Sequence, residues 1–172
     1  MDAELHKSLN EHLTLEFEAF HRYHALSIWF DLNDLPGFAT WMRQQSTDEL
    51  GHAKRIIDHL LERDLAVELP KLAKPPTEWK SPVEAVEGVM ASEQTVTASI
   101  NKLYSMADKT SDRPAMIMLQ WFVNEQVEEE NVVRALLGRL KLAGESGVGL
   151  LLVDQELASG NVAGAAQSES KV

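Results

Sequence analysis

The chain of 172 residues contains no cysteine, which excludes disulfides, thiolate-bound zinc, iron–sulfur clusters and a cysteine nucleophile. It has no apolar run long enough to span a membrane and no alternating pattern typical of a strand. Its polar first ten residues lack the pattern of a signal peptide, so we expect a cytoplasmic protein with no membrane partner. The net charge of −11 argues against nucleic acid as a partner, because the phosphate backbone repels an acidic protein.

Proline is scarce as well: the chain has six, and most lie between residues 70 and 82. Because proline breaks helix interiors, the proline-free segments leave room for four long helices. We predict these helices over residues 3–32, 35–64, 82–109 and 112–142. A short fifth helix fits residues 149–159. We expect one domain over residues 1–160 and a disordered tail over residues 161–172, which are rich in glycine, alanine, serine and glutamine.

The connections between the predicted helices differ in length, and this difference predicts the topology. Short connections join the first helix to the second and the third to the fourth, so each pair forms an antiparallel hairpin. The connection over residues 65–81 could extend over roughly 50 Å, and a helix of about 30 residues is about 45 Å long. We therefore predict an all-α four-helix bundle with one long crossover, which makes the second and third helices parallel.

Each of the four long helices carries an apolar stripe at the spacing of a buried face, and a carboxylate interrupts each stripe near its middle. These acids are Glu16, Glu49, Glu93 and Glu129. Within each hairpin the two acids lie at similar distances along the chain from the turn, so they should reach the same height in the bundle. The sequence therefore predicts four carboxylates meeting at one level of the core.

Four unpaired carboxylates in a core would cost several kcal/mol each. No lysine or arginine occupies the predicted stripes, and two divalent cations would balance the four charges. Glu49 and His52 lie three residues apart, so they share one helix face and can bind one metal ion. Carboxylates with one imidazole favour iron or manganese over metals that prefer thiolates.

The stripes thus predict a site for two metal ions. Its predicted ligands are Glu16, Glu49, His52, Glu93 and Glu129, with Gln126 as a weak ligand or hydrogen-bond partner. In this hypothesis Glu49 bridges the two ions. Glu16 and His52 complete the first site, and Glu93 and Glu129 complete the second.

Several segments resemble those of one known family. They are Leu15-Glu16-Phe17, Asp48-Glu49-Leu50-Gly51-His52, Ser92-Glu93-Gln94 and the segment from Trp121 to Gln126. Over roughly residues 1–160 the chain resembles the non-haem bacterial-type ferritins of the ferritin-like di-iron superfamily. The resemblance implies that Fe(II) is oxidised with O₂ or peroxide at a di-iron centre inside each subunit. It also implies that the product is stored as a ferric oxy-hydroxide mineral inside a hollow 24-subunit shell.

The resemblance assigns the same ligands to the two iron ions and adds further residues. Gln126 matches a glutamine of the non-haem branch. Glu125 and Glu128 match a third iron site together with Asp48, which stands where bacterial relatives often have glutamate. Tyr23 matches a tyrosine beside the di-iron pair, so we include it among the catalytic residues as an electron donor.

Two departures separate the chain from neighbouring families. Bacterioferritins resemble this pattern but use a second Glu-x-x-His, where this chain has Gln126-x-x-Glu129, and their haem-binding methionine would fall at Leu50. We therefore expect no haem. Rubrerythrins usually carry a cysteine-bound iron, which a chain without cysteine cannot hold.

Two alternative functions remain open at this point. One is a di-iron or di-manganese oxidoreductase that stores nothing. The other is a non-catalytic helical interaction protein, which would leave four core acids at one level unexplained.

Overall fold

The structure, a computed structural model, describes residues 1–160, and within that range it consists of five α-helices. They are α1 (Ala3–Leu32), α2 (Pro36–Leu61), α3 (Pro82–Lys109), α4 (Arg113–Ala143) and α5 (Gly147–Ala158). The predicted all-α architecture is confirmed, and most predicted helix ends lie within two residues of the observed ends. The tail predicted over residues 161–172 lies outside the described residues.

Helix α2 is the element whose predicted end was wrong, because it stops at Leu61 rather than at residue 64. Asp64 adopts a positive φ of 55°, a left-handed conformation that cannot continue a right-handed helix. The Leu65 amide donates to the Leu60 carbonyl at 3.0 Å and closes the turn. The connection to α3 therefore begins earlier than the sequence predicted.

Most of the helices begin at a residue whose side chain accepts a hydrogen bond from a backbone amide of the first turn. These residues are Asp2, Ser81, Asp112 and Ser146. Helix α2 differs because it follows Leu35, whose side chain has no oxygen. Its Phe38 amide instead donates to Asp154 Oδ1 of α5 at 2.9 Å. A residue distant in the sequence therefore caps α2.

The apolar core consists of two clusters, and their membership gives the direction of each helix. The first cluster includes Phe30, Phe38, Val86 and Leu136. The second includes Leu9, Ile56, Ile100 and Leu119. Helices α2 and α3 therefore run from the first cluster to the second, and α1 and α4 run the other way. The predicted crossover is confirmed, since α2 and α3 are parallel and residues 62–81 connect them.

A layer of buried polar side chains separates the two clusters, and it places the functional residues halfway along the bundle. Helix α5 packs on α2 and α4 at the end of the first cluster, where it buries Val153 and Leu157. Among residues 1–160, no helix combines the length and apolarity that crossing a membrane requires.

Candidate metal centre

All four predicted core acids are buried in the polar layer, one on each long helix. The exposed fractions are 0% for Glu16, 3% for Glu49, 1% for Glu93 and 8% for Glu129. No lysine or arginine is among the buried residues of the described chain. No buried lysine or arginine in residues 1–160 therefore balances the negative charge of this layer.

The structure brings together Glu16, Glu49 and His52 as one candidate metal-binding group, in which one ligand atom of each lies within 4.8 Å of the others. His52 Nδ1 is 3.1 Å from Glu49 Oε2 and 3.6 Å from Glu16 Oε2. The three-residue spacing of Glu49 and His52 on α2 aims both side chains at Glu16 on α1. These are the residues that the sequence assigned to the first metal ion.

One carboxylate oxygen in this group, Oε2 of Glu16, supports the assignment of a cation site. Glu16 Oε2 is buried and has no hydrogen-bond partner among the described residues. A buried polar atom without a partner costs about 1–3 kcal/mol, and more when it is charged. A divalent cation between Glu16, Glu49 and His52 would satisfy this oxygen, and oxygen with imidazole ligands suits Fe(II).

A second candidate group consists of His52, Glu125 and Glu129, again with one ligand atom of each within 4.8 Å of the others. It adds Glu125 to the centre, a half-buried residue of α4 that the sequence assigned to the third site. Gln45 Nε2 lies 3.4 Å from Glu129 Oε2 and orients that carboxylate from α2.

Glu93 belongs to neither of these groups, because other side chains hold its carboxylate. The Tyr23 hydroxyl donates to Glu93 Oε1 at 2.8 Å. The Gln126 amide lies 3.3 Å from Glu93 Oε2 and 3.2 Å from Thr97 Oγ1. The Thr97 hydroxyl in turn donates to Glu130 Oε1 at 2.8 Å. Tyr23 and Gln126 are thus both in contact with the predicted second site.

The remaining predicted third-site residues lie towards the surface. Asp48 is half-buried, and its Oδ1 accepts a hydrogen bond from the Gln44 amide at 3.0 Å. Glu128 is exposed on α4. Burial raises the pKa of Glu125, and the nearby negative charges of Glu128 and Asp48 raise it further. The positive charge of His52 opposes this increase.

The hydrogen bonds of Glu16 and His52 outweigh the effect of burial on their ionisation. Burial raises the pKa of Glu16, but the hydrogen bond from His12 and the proximity of His52 lower it to about 2. Burial lowers the pKa of His52, but its contacts with Glu16 and Glu49 raise it well above the ordinary value. In the metal-free protein the positive charge of His52 therefore offsets part of the negative charge in this group.

For Glu129 and Glu49 the effect of burial on the pKa prevails over the opposing contacts. Burial raises the pKa of Glu129 to about 8, and the neighbouring Glu93 contributes to the increase. Burial likewise raises the pKa of Glu49 well above its ordinary value, although the hydrogen bond with His52 opposes this. Glu129 therefore carries a proton at neutral pH, and a metal ion that binds to it must displace that proton.

Two partners of the centre, the buried His12 and the half-buried Thr97, were not predicted from the sequence. His12 contacts Glu16, and Thr97 links Gln126 to Glu130. Both lie four residues from a predicted ligand on the same helix face, His12 before Glu16 and Thr97 after Glu93. That spacing was the available signal, but it is common in helices and does not by itself indicate a role.

A four-helix bundle with buried carboxylates and histidine at one level is typical of the ferritin-like di-iron and di-manganese carboxylate proteins. Comparisons with known proteins specify the family. The ferritin-like domain family model matches residues 6–143. A bacterial non-heme ferritin of Bacteroides fragilis is 31% identical over 153 residues, which cover 89% of this chain and 95% of the relative. The same kind of protein from Campylobacter jejuni is 36% identical over 155 residues, covering 90% and 93%.

A comparison with solved structures also finds similarity to a ferritin. The match is a crystal structure of an open pore ferritin from the archaeon Archaeoglobus fulgidus, with 37% identity and a TM-score of 0.89, covering 92% of this chain and 98% of that one. The chain therefore belongs to the ferritin family. The family supports an iron-storing function with iron oxidation, and the carboxylate and histidine cluster fits a di-iron site.

Proposed function

We propose that this chain is a ferroxidase subunit that oxidises Fe(II) at the buried centre, inside a shell that stores the ferric product. The observation that carries the proposal is the polar layer itself. Four acids and one histidine lie at one level between two apolar clusters, and a buried carboxylate oxygen of Glu16 lacks a partner among the described residues. A site for divalent iron explains this costly arrangement.

In this proposal two iron ions bind per subunit, as substrate. Glu16 and His52 bind the first ion, Glu93 and Glu129 bind the second, and Glu49 bridges them. The contact of His52 with Glu16 and Glu49 supports the first assignment. In the second assignment, Glu93 either turns away from Tyr23 and Gln126 to reach the metal ion, or binds the ion through whichever carboxylate oxygen faces that ion. Gln126 then orients Glu93 rather than binding strongly.

The chemistry requires two electrons for each O₂ that is reduced to peroxide. Two Fe(II) ions at one site supply one electron each, and the resulting Fe(III) ions bind more tightly to carboxylates because of their higher charge. Protons leave the buried acids when iron binds, since burial raises the pKa of Glu49 and brings that of Glu129 to about 8. Reduction of that peroxide to water requires two more electrons, and in this proposal one comes from an Fe(II) ion at the third site and one from Tyr23, whose hydroxyl donates to Glu93.

A third iron site beside the pair is part of the proposal. Asp48, Glu125 and Glu128 would form it, and Glu125 is the residue that joins it to the centre through His52 and Glu129. The partial exposure of these carboxylates suits a site through which iron passes between the centre and the interior of the shell.

We further propose assembly into a 24-subunit shell of about 460 kDa, from a chain of 19.2 kDa. Large apolar side chains that remain exposed in the single chain support an assembled state. They include Leu32 at 79%, Ile117 at 75% and Leu142 at 89%. A cytoplasmic location, expected from the sequence, remains a prediction.

The activity is tested by adding Fe(II) aerobically to the metal-free protein and following ferric absorbance by stopped flow. Glu49→Gln removes the bridging carboxylate with little change in shape, so the fast phase should disappear. Glu11→Gln is the matched control on α1, since this residue is exposed and pairs with Lys7 at 3.4 Å. A fast phase of normal amplitude in Glu49→Gln would show that the centre is assigned wrongly.

Storage is tested separately by native mass spectrometry and by iron analysis of the loaded protein after gel filtration. A storing shell should retain far more iron per subunit than the few ions that the centre can hold. A monomer or dimer that oxidises Fe(II) and retains none of the product would instead support the non-storing oxidoreductase.

A further inference from the structure

His12 is a buried histidine of α1 that the proposed chemistry does not use. Its exposed fraction is 1%. Its ring lies against Phe122, with the two centroids 6.3 Å apart and the planes at 84°. It is in neither of the candidate metal-binding groups found in the described chain. Its function therefore has to come from its hydrogen bonds.

Both ring nitrogens of His12 have a partner. Nε2 lies 2.7 Å from Glu16 Oε1, and Nδ1 lies 2.8 Å from the Ser99 hydroxyl of α3. The Glu16 carboxylate can only accept, so Nε2 is the donor in this pair, and Nδ1 holds the hydroxyl of Ser99. Ser99 therefore fixes the ring orientation and leaves the proton facing Glu16.

The two oxygens of Glu16 are consequently unequal. Oε1 is occupied by His12, whereas Oε2 has no hydrogen-bond partner in residues 1–160 and lies 3.6 Å from His52 Nδ1. If both oxygens chelated one ion, the metal would draw electron density from Oε1 and weaken its hydrogen bond with His12. This buried, charge-assisted hydrogen bond therefore favours metal binding through Oε2 alone.

We propose that His12, held by Ser99, is a positioning residue that restricts Glu16 to binding the first metal ion through one oxygen, Oε2. This inference rests on the proposed metal site. It accounts for the buried His12–Glu16–Ser99 connection between α1 and α3. A ligand restricted to one oxygen keeps a coordination position of the first ion open for O₂ or peroxide.

The test uses Co(II) as the only metal, added anaerobically to the metal-free assembled protein, with visible absorption as the readout. His12→Leu removes both hydrogen bonds with a side chain of similar size. We expect first-site affinity to fall about 10–100-fold, the usual effect of losing an outer partner of a metal ligand. We also expect a weaker visible absorption per Co(II). Glu16 becomes free to bind through both oxygens, which raises the coordination number of Co(II), and Co(II) with more ligands absorbs more weakly. His12→Gln, whose amide can donate to Glu16 and accept from Ser99, should restore both.

Ser99→Ala is the second variant, because it leaves the buried ring in place if His12→Leu does not fold. It should move affinity and spectrum in the same direction by a smaller amount. Wild-type affinity and spectrum in both His12→Leu and Ser99→Ala would overturn the inference, as would lower affinity with an unchanged spectrum. Failure of the metal site itself is a different result: the wild type would bind no Co(II), or Glu49→Gln would bind it equally well.

Discussion

At the scale of single residues, the ionisation of Glu129 links the chemistry of the centre to stability. Burial raises the pKa of Glu129 from 4.5 to about 8. The folded metal-free protein therefore holds a proton at neutral pH that the unfolded chain releases. Stability from this group is fully present below about pH 4.5 and is lost as the pH rises towards 8.

We therefore predict that metal-free protein becomes less stable between about pH 5 and about pH 8, and that Glu129→Gln weakens this dependence. Glutamine is neutral at all these pH values and close to the protonated acid in shape. The difference between the two proteins should be on the order of a few kcal/mol, measured by denaturant unfolding with a chelator present. The surface variant Glu11→Gln should follow the wild type. Parallel loss of stability in wild type and Glu129→Gln would contradict the assignment.

The hydrogen bond from Tyr23 to Glu93 gives a prediction about electron transfer. The chain contains two tyrosines, and the other one, Tyr104, packs against the second apolar cluster. If Tyr23 supplies an electron, a tyrosyl radical should form during oxidation in the wild type and in Tyr104→Phe, but not in Tyr23→Phe. Freeze-quench electron paramagnetic resonance measures it. A radical that persists in Tyr23→Phe would exclude this role.

The four core acids and the Glu49–His52 pair were predictable because helix periodicity and chain length fix their face and height. Their partners were less predictable. Helix α1 buries Ala19 in the core, whereas Phe20, which lies one turn beyond Glu16, is partly exposed. On the observed face, His12 precedes Glu16 by one turn and is fully buried. Since neighbouring stripes overlap on a helix, sequence alone does not decide which histidine points inward.

At the scale of helices, the contact between α5 and the start of α2 leaves no room for a side chain at Gly37. The Phe38 amide donates to Asp154 Oδ1, and a Cβ built on Gly37 would lie 1.9 Å from the Asp154 carbonyl oxygen. Glycine is therefore required for steric reasons, and the negative charge of Asp154 suits the N-terminus of a helix. The sequence predicted α5 but not its contact with α2, because Gly37 and Asp154 are far apart in the chain.

We predict that Gly37→Ala separates α5 from the bundle while α1–α4 remain folded. The alanine methyl group meets backbone, which cannot move aside as a side chain could. Hydrogen exchange should increase over residues 147–158, and limited proteolysis should cut near Gly144. Gly51→Ala on the same helix is the matched control, since nothing in the described chain lies within 4 Å of its added Cβ. Unchanged exchange in Gly37→Ala would show that the contact tolerates a side chain.

At the scale of the whole molecule, the exposed apolar side chains matter most, because nothing within residues 1–160 covers them. Ile28 is 52% exposed and Leu32 is 79% exposed, one turn apart on the same face of α1. A face of this kind on every copy favours contact between copies. The proposed shell gives this face a function that the single chain does not explain.

We predict that the double variant Ile28→Glu/Leu32→Glu no longer forms the shell but keeps its fold and its ferroxidase centre. Carboxylates on this face would be buried, or would meet like charges, wherever two copies pack together, and each uncompensated charge costs several kcal/mol. Native mass spectrometry should show small species in place of a shell, with unchanged helical circular dichroism. The conservative variant Leu32→Met should assemble normally. The dissociated protein should still oxidise Fe(II) in a fast phase, but the ferric product should precipitate because no cavity encloses it. A double variant with the mass of the wild type would show that this face of α1 lies outside the subunit contacts.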